Sequence, residues 1–349
     1  MPAMSSQPDL APNEQMPTEE PPAPVRKRRR YLRISLIVLV VLVVLGGAGA
    51  LAGGLYLHSI EKSIVRVDAF QEVPEQSRPV KAVADAQNIL LLGSDSRDPD
   101  NTQGSRSDTI ILAHLAKDRS SAQLISIPRD TWVHVPAAKG GQGNRDAKIN
   151  AAYAWGGIPL VVQTVESFTG VRVDHVAIID FAGFQQIVDA VGGVDITVEE
   201  SFTSIHPPYR HFAEGRQHMD GATALDYSRQ RKQFADGDFA RIRHQQQVIR
   251  AILDKASTGG LLTNPGDLND FLRSTANAVS VDNTMSIVDM ATQLRHLRGG
   301  NLTFLTNPSN GTGTVGSESV VFADKTKDKA LYDAVNRDAI PEILKAADN

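Results

Sequence analysis

Hydrophobic residues between positions 88 and 335 fall into short continuous runs that alternate with longer segments of helical spacing. The continuous runs predict strands at 88–92, 109–115, 123–127, 132–135, 173–179, 194–198, 302–305 and 320–322. Apolar residues three and four positions apart predict helices at 159–168, 181–191, 239–256, 267–276, 284–297 and 325–335. Strands interleaved with helices predict one α/β domain over residues 88–346, an α/β/α sandwich around a mixed central sheet.

Three segments between these elements lack a strand or helix pattern. Residues 201–217 are predicted to be a surface excursion, and the glycine-rich stretch 311–316 is predicted to form turns. Residues 227–231 are interpreted as extended, which would place the side chains of Arg229 and Arg231 on one face.

The N-terminal part has the pattern of a membrane anchor. Residues 1–33 are predicted to be a disordered cytoplasmic tail that ends in a basic cluster, and residues 34–57 carry no charge. At about 1.5 Å per residue, a helix over 34–57 spans a hydrocarbon core of about 30 Å. The positive cluster stays in the cytoplasm, so the domain is expected to be extracytoplasmic, joined to the helix by a stalk at 58–87.

The alternative for the same apolar segment is a cleaved signal peptide. Residues 48–50 and 50–52 have the small side chains of a cleavage site. The apolar run is longer than the roughly 7–15 residues of a signal peptide's hydrophobic region, and a long tail precedes it. The sequence therefore favours an uncleaved anchor in the cell membrane.

Composition excludes several classes of function. The net charge of −4 and pI near 6.1 give no basic signal for nucleic acid. The sequence contains no cysteine, so disulfides, thiolate metal sites and a cysteine nucleophile are excluded. It also lacks the HExxH, GxSxG and Walker patterns, which argues against a zinc protease, a serine hydrolase of that type and an ATPase.

Two aspartates flank predicted strands that are consecutive in the sequence. Asp95 follows the strand at 88–92, and Asp108 precedes the strand at 109–115. If those strands are adjacent, both carboxylates lie at one end of the sheet, where α/β folds place ligands. Carboxylates and phosphate oxygens suit Mg²⁺. The alternative is that both aspartates only cap turns.

Arginines are concentrated at the ends of predicted elements. A guanidinium grips phosphate oxygens in pairs, and a helix N-terminus also favours anions. The alternative for each arginine is a surface ion pair, whereas Asp238 is predicted either to cap the following helix or to hold an arginine. Gln245 and Gln246 are further candidates for binding phosphate or carbonyl oxygen. The arginines concerned are Arg106, Arg129, Arg229, Arg231, Arg241 and Arg243.

Several motifs in a fixed order resemble the LytR-CpsA-Psr proteins of bacterial cell envelopes. The resemblance covers about residues 88–322. The motifs are NILLLGSDSR at 88–97, RSDT at 106–109, ISIPRDT at 125–131, KINAAY at 148–153, VGGVD at 191–195, LDYSRQR at 225–231 and GDFAR at 237–241.

This resemblance implies a hydrophobic tunnel that holds a polyprenyl tail, with the pyrophosphate of a lipid-linked glycopolymer bound at its mouth. It implies Mg²⁺ on Asp95 and Asp108. It also implies transfer of the glycan phosphate to a peptidoglycan hydroxyl, which forms a phosphodiester and releases polyprenyl phosphate. Residues implied to bind pyrophosphate or shape the catalytic mouth are Arg106, Arg129, Arg229, Arg231, Asp238 and Gln245.

The chain departs from the family pattern at two positions. Ala240 replaces a residue that is commonly glycine, and His244 replaces an arginine. We expect either that one positive contact becomes pH-dependent or that Arg243 supplies it instead. No C-terminal appendage is expected after the last helix.

Two other functions stay open on the sequence. A hydrolase of polyprenyl pyrophosphate would use the same site with water as the acceptor. A non-catalytic lipid-binding regulator would need the anchor and the tunnel but would leave the aspartate pair unused. In the transferase, a carboxylate removes the acceptor proton, and Asp95 is a candidate base although a metal ligand is a poor one.

Overall fold

The computed structural model describes residues 61–94, 107–258, 265–294, 297 and 299–342. Its fifteen strands are β1 (Val65–Val67), β2 (Gln87–Ser94), β3 (Ser107–Leu115), β4 (Ala122–Ser126), β5 (Trp132–Val135), β6 (Arg145–Lys148), β7 (His175–Asp180), β8 (Val194–Val198), β9 (Phe202–Thr203), β10 (His211–Phe212), β11 (Gly215–Met219), β12 (Val279–Asp282), β13 (Leu302–Thr306), β14 (Ser309–Val315) and β15 (Glu318–Ala323). The α-helices are α1 (Ala151–Thr169), α2 (Phe181–Ala190), α3 (Gly221–Arg229), α4 (Asp238–Thr258), α5 (Pro265–Ala278), α6 (Ile287–Leu294) and α7 (Lys325–Asn336).

Seven strands form a mixed central sheet in the order β1-β12-β7-β2-β3-β4-β13. β2 is parallel to β7 and antiparallel to β3, and β4 is antiparallel to β3. The carboxyl ends of β2, β4 and β7 therefore lie at the same edge of the sheet as the amino end of β3. Strands β5 and β6, β8 and β11, and β14 and β15 form separate antiparallel pairs outside the central sheet.

The two faces of the central sheet are used differently. Leu90 and Leu112 lie opposite each other and are fully buried in a core shared with α1 and α7. Their neighbours Leu91 and Ile111, which also lie opposite each other, line a cavity on the other face. Alternate residues of a strand point to opposite faces, so one face closes a packed core and the other forms a cavity wall.

A second hydrophobic core supports the helices on the cavity side. It includes Val188 of α2, Tyr227 of α3 and Val248 of α4, together with apolar residues of the β8–β11 pair. These helices are thus held by contacts on their outer surface, away from the sheet. That arrangement explains how a wide cavity coexists with a tightly packed interior.

Each predicted strand and helix overlaps an observed element, although the helix predicted at 284–297 is observed over Ile287–Leu294, and the α/β fold with a mixed sheet is confirmed. The helix predicted at 159–168 is the second part of α1, which is interrupted by non-helical backbone at Gly156 and Gly157. Pro159 follows that break, where a proline is tolerated in a first helical turn.

Two predictions of local structure were wrong. Residues 221–229 form a helix whose first turn is capped by Asp220, which accepts a hydrogen bond from the Thr223 amide, so Arg229 does not lie in an extended segment. The glycine-rich stretch 311–316 is largely part of β14, because β15 supplies backbone partners across the hairpin. Tertiary pairing overrides the weak strand propensity of glycine there.

The sheet extends into the segment predicted to be a stalk. β1 pairs in parallel with β12, and Val67, Ala69 and Val73 are buried in the first core. The packed body therefore begins before residue 88. None of the helices in the described part of the chain is long and apolar enough to cross a membrane, and the predicted anchor at 34–57 lies outside that part.

Candidate active site

Strand ends bring the first group of predicted site residues to one edge of the sheet. Asp108 lies near the start of β3, and Arg129 follows β4 after a short extension of the strand past Pro128. β2 and β3 are adjacent, as the metal-site hypothesis required. Asp95 and Arg106 belong to the connection between them and lie outside the described residues.

The second group comes from the connection between two helices. α3 ends at Arg229, a short turn carries Arg231, and α4 begins at Asp238 with Arg241 one turn further on. Gly237 has φ = 51°, a left-handed conformation that favours glycine immediately before α4. This connection places both arginines that follow Ser228 beside the edge of the sheet.

Arginines and aspartates from both groups form one continuous cluster. Arg129 donates to the Asp108 carboxylate, and a nitrogen of Arg241 lies 4.0 Å from the same Asp108 oxygen. Arg241 lies 2.6 Å from Asp238, and Arg231 lies 3.5 Å from it. Residues far apart in sequence thus meet at a single site, where three guanidinium groups surround two carboxylates.

Asp130 extends this cluster on its other side. Its carboxylate accepts a hydrogen bond from Arg231 at 2.6 Å, and Lys148 lies 3.8 Å away. The side chain of Asp130 is buried, so the carboxylate holds Arg231 in one position rather than pairing with it loosely in water. Sequence reasoning did not assign Asp130 or Lys148, although both belong to motifs that carried the family resemblance.

Asp238 forms ion pairs with Arg231 and Arg241, and its carboxylate oxygens accept no hydrogen bond from the backbone at the start of α4. Burial raises the pKa of the Asp238 carboxyl, against the opposing effect of Arg241 and Arg231. Burial also lowers the pKa of the Arg241 guanidinium, which Asp238 partly offsets. The pair is thus fixed inside the protein and presents Arg241 to the adjoining cavity.

The cavity has a volume of about 390 Å³ and is sharply divided in character. The charged cluster lines the end of the cavity at the edge of the sheet, which we call its mouth, and apolar side chains from the sheet and from α2, α3 and α4 line the remaining walls. Polar residues that line the cavity are Asp108, Thr109, Arg129, Asp180, His206, Ser228, Arg229, Arg231, Lys232, Arg241 and Gln245. Apolar wall residues include Leu91, Ile111, Ile179, Phe181, Phe184, Ile187, Leu225, Ile249, Ile252 and Leu253.

Arg229 contributes to the mouth in a different way from the other arginines. Its guanidinium carbon lies 4.4 Å from the ring centroid of Phe181, a cation–π contact with the first residue of α2. Arg229 thus joins the polar mouth to the apolar wall.

One stripe of α4 lines the cavity from mouth to interior. Arg241, Gln245, Ile249 and Ile252 are spaced by three and four residues, so they share one helix face. The neighbouring glutamines face elsewhere. Gln246 donates hydrogen bonds of 3.1 Å to the Ser126 hydroxyl and the Leu305 carbonyl, which ties α4 to the sheet and gives this glutamine a structural role.

His244 and Arg243 do not supply the positive contact that was expected of one or the other. His244 is buried and stacks on Tyr227, with ring centroids 4.2 Å apart, and burial lowers its pKa to about 4. Arg243 is exposed and pairs with Asp236 and Glu199. Neither residue lines the cavity, because the helical turn directs both away from the stripe that carries Arg241.

Magnesium was predicted on Asp95 and Asp108. No group of three or more His, Cys, Asp or Glu side chains suited to a metal occurs within the described ranges. Asp108 does lie at the mouth, and Mg²⁺ is commonly held by one or two carboxylates together with substrate phosphate oxygens. The chemistry of Asp108 therefore fits a share in such a site.

These features define a class of protein: an α/β domain in which a cluster of guanidinium and carboxylate groups, anchored on buried Asp130, Asp238 and Arg241, lines the mouth of an apolar cavity. The chain belongs to the LytR_cpsA_psr family, whose sequence profile matches residues 56–336.

Individual relatives agree with this assignment. A Bacillus cereus protein named polyisoprenyl-teichoic acid--peptidoglycan teichoic acid transferase TagU is 38% identical over 240 residues, covering 64% of this chain and 74% of its own. The Corynebacterium glutamicum cell wall biosynthesis protein LcpA is 32% identical over 303 residues, covering 73% of this chain and 57% of its own. The crystal structure of B. subtilis TagV superposes with a TM-score of 0.62 at 27% identity, covering 74% of this chain and 98% of TagV.

Proposed function

We propose that this protein transfers a polyprenyl-pyrophosphate-linked glycopolymer to peptidoglycan and releases polyprenyl phosphate. The observation that carries the proposal is the division of a single cavity into a cationic mouth and an apolar interior. A polyprenyl pyrophosphate has the matching division between a charged head and a hydrocarbon tail. The name of the B. cereus relative supports the same reaction.

The arginines at the mouth bind the diphosphate and stabilise the charge that develops during transfer. Phosphoryl transfer depends mainly on positioning and on preorganised positive charge. Asp130 and Asp238 fix Arg231 and Arg241 before substrate arrives, so little reorganisation is needed at the moment of reaction. The acceptor hydroxyl loses its proton to a carboxylate as its oxygen forms a bond to the glycan-bearing phosphorus, and the bond from that phosphorus to the lipid phosphate breaks, so that polyprenyl phosphate leaves.

Asp108, together with Asp95, would hold Mg²⁺ beside the diphosphate. The ion would neutralise phosphate charge and favour departure of the lipid phosphate. Asp108 lies within the ion-pair network of Arg129 and Arg241, which supports a site where a metal-bound diphosphate would also contact both guanidinium groups.

Anchoring to the cell membrane fits this substrate. A helix over 34–57 with a basic cytoplasmic flank would place the domain on the extracytoplasmic side, as a single-pass protein. There the lipid carrier and peptidoglycan are both accessible. No ATP is required, because the pyrophosphate bond of the donor is already activated.

The test uses the full chain in lipid vesicles with a radiolabelled lipid-linked glycopolymer and purified peptidoglycan. Incorporation of label into the sedimented polymer is expected for the natural chain and for Arg216→Ala, which removes an exposed arginine paired with Asp195. Arg129→Ala is expected to lower incorporation by about 10²–10³-fold, the usual cost of losing one preorganised charge-stabilising group.

Melting temperatures of the variants separate a catalytic defect from unfolding. Label released as soluble glycan with no incorporation would identify a hydrolase instead. Equal incorporation by Arg129→Ala and the natural chain would show that the cluster is not the transfer site. If the protein bound the labelled lipid but formed neither labelled peptidoglycan nor soluble glycan, it would be a lipid-binding protein without transferase activity.

A further inference from the structure

Both tryptophans of the chain lie on one surface groove that is separate from the apolar cavity. The sequence contains two tryptophans: Trp132 begins β5, and Trp155 lies in the first part of α1. Both line a hollow of about 390 Å³ beside the β5–β6 hairpin. Both side chains are half-buried, so part of each ring remains accessible.

The hollow continues in both directions past the tryptophans. Trp132 also lines a hollow of about 620 Å³ towards α7, and Trp155 also lines one of about 660 Å³ towards residues 71–74. Each indole therefore stands between two adjoining depressions. The result is an elongated groove with an aromatic side chain at each of its two internal boundaries.

Polar groups line the central part of this groove. Lys148 lies 3.4 Å from Glu318, and Asp146 lines both the central hollow and its neighbour. Asn150, immediately before α1, has a buried side chain that lines the groove and does not cap the helix. Lys148 and Asn150 belong to the KINAAY motif, and neither residue lines the apolar cavity.

The central hollow adjoins the charged mouth through Asp130. This carboxylate lines the hollow and also binds Arg231 at 2.6 Å. The backbone N–H of Asn150 donates a hydrogen bond of 3.2 Å to the backbone carbonyl of Arg129. This bond fixes the start of α1 against the residue that contacts Asp108. A molecule bound in the groove would therefore be separated from Arg231 only by the side chain of Asp130.

We propose that this groove binds the acceptor, a glycan strand of N-acetylated hexoses. An aromatic ring offers an apolar face of the size of a pyranose ring, and amide, ammonium and carboxylate groups match hydroxyl and N-acetyl groups. A carbohydrate chain is elongated and repeats along its length, as the sequence of hollows and indoles does. Arg145, with its guanidinium carbon 4.5 Å from the Trp155 ring centroid, fixes that ring in place.

The position of the groove favours the acceptor over the donor glycan. This choice rests on the proposed transferase function, because in-line displacement places the attacking oxygen opposite the leaving lipid phosphate. In that proposal the lipid phosphate lies at the arginine-lined mouth, and its hydrocarbon tail lies between apolar wall residues such as Ile249 and Phe184. The groove reaches the cluster from another side, through Asp130, and so offers the acceptor its own approach.

Intrinsic fluorescence gives a direct test, because the only two tryptophans both lie in the groove. Titration of the full chain with the tetramer of N-acetylglucosamine is expected to give a saturable change in emission. Trp132→Phe and Trp155→Phe should each retain part of that change, since each leaves one reporter. Trp132→Ala should weaken binding by about tenfold, the loss of a stacking contact worth about 1.4 kcal/mol.

Three comparisons make the result decisive. Tyr209→Ala removes an exposed aromatic side chain elsewhere and should bind the tetramer normally. Arg129→Ala should also bind it normally, so a failure of the transfer reaction is distinguishable from a failure of this groove. No saturable change for the natural chain at millimolar tetramer, or equal affinity for Trp132→Ala, would overturn the proposal. Saturable binding of lipid-free glycopolymer but not of the tetramer would assign the groove to the donor and overturn it as an acceptor site.

Discussion

The chemistry of individual residues here is set by burial as much as by residue type. Arg241 and Arg243 are two positions apart, yet Arg241 is buried against Asp238 and Arg243 is exposed beside Asp236. Only Arg241 lines the cavity. An arginine paired with a buried carboxylate is held in one position by the surrounding protein, whereas an exposed ion pair contributes little to stability. Burial thus distinguishes Arg241, which lines the cavity, from Arg243, which lies at the surface.

His244 gives a prediction about stability against pH. Its folded-state pKa of about 4 lies below the usual value of 6.5, because burial beside Tyr227 and Phe202 disfavours the charged ring. The unfolded chain therefore binds a proton first as pH falls. The contribution of neutral His244 to the free energy of unfolding is fully present above about pH 6.5 and is lost progressively towards pH 4. At pH 5 the loss amounts to roughly 2 kcal/mol.

Urea unfolding of the natural chain and of His244→Phe at pH 7.5 and pH 5 measures this contribution. The phenylalanine keeps an aromatic ring in the cluster and removes the titration. We expect the free energy of unfolding to fall by roughly 2 kcal/mol less in the variant over this interval. An identical fall in both proteins would show that His244 is not the group responsible. Asp328, whose burial raises its pKa to about 6, titrates equally in both and cancels in the comparison.

At the scale of elements, three successive glutamines of helix α4 contact three different parts of the protein. Gln245 lines the cavity, Gln246 binds the sheet, and Gln247 accepts a hydrogen bond of 2.7 Å from the Tyr227 hydroxyl. Successive residues on a helix point about 100° apart, so neighbours of the same type meet different surroundings. Residue type alone therefore does not separate a binding glutamine from a structural one.

Substitution of Gln245 should affect ligand binding, whereas substitution of Gln246 should affect stability. Gln246→Ala is expected to lower the free energy of unfolding by about 1–2 kcal/mol, because it removes hydrogen bonds to Ser126 and Leu305. Gln245→Ala should leave stability unchanged and weaken binding of geranylgeranyl diphosphate by up to about tenfold. Urea unfolding and calorimetric titration of each variant give both quantities. If the binding defect belonged to Gln246→Ala alone, the proposed division would be wrong.

The same scale shows what the sequence could predict. Strands such as β2 and β3 were predictable because continuous apolar runs bounded by polar residues have few other interpretations. Helix α3 was missed because its sequence is mixed and its burial comes from tertiary contacts, although Asp220 at its N-cap was a usable signal. Strands β1 and β12 are short and exist through pairing with each other and with β7.

Most members of the site were predictable, whereas their partnerships were not. Asp108, Arg129, Arg231 and Arg241 were identified from strand ends and from the family motifs, and the structure brings them together. The role of Asp130 depends on a contact across 101 positions of sequence, which no local pattern specifies. Local periodicity establishes which face of an element a residue occupies. The partner on that face is a property of the whole fold.

At the scale of the whole molecule, the cavity exists because two cores hold its walls apart. The central sheet packs against α1 and α7 on one side, and the helices across the cavity pack against β8 and β11 on the other. Hydrocarbon entering between them would bury apolar surface that is otherwise in contact with water. Filling the cavity with a protein side chain should therefore displace the lipid without disturbing either core.

Ile249→Trp provides that test, because Ile249 lies on the cavity stripe of α4 one turn beyond Gln245 and outside both cores. Displacing one five-carbon prenyl unit should cost about 4 kcal/mol, at about 0.8 kcal/mol per buried carbon. Mass spectrometry of lipid extracted from the purified full chain is expected to find polyprenyl phosphate or pyrophosphate with the natural protein and with Ile249→Leu, which conserves volume, and to find it strongly reduced with Ile249→Trp. Melting temperatures should remain within a few degrees, since an indole that occupies an open cavity removes no contact in either core. Undiminished lipid in the tryptophan variant would place the hydrocarbon elsewhere and would separate the charged cluster from the tail-binding role inferred for its cavity.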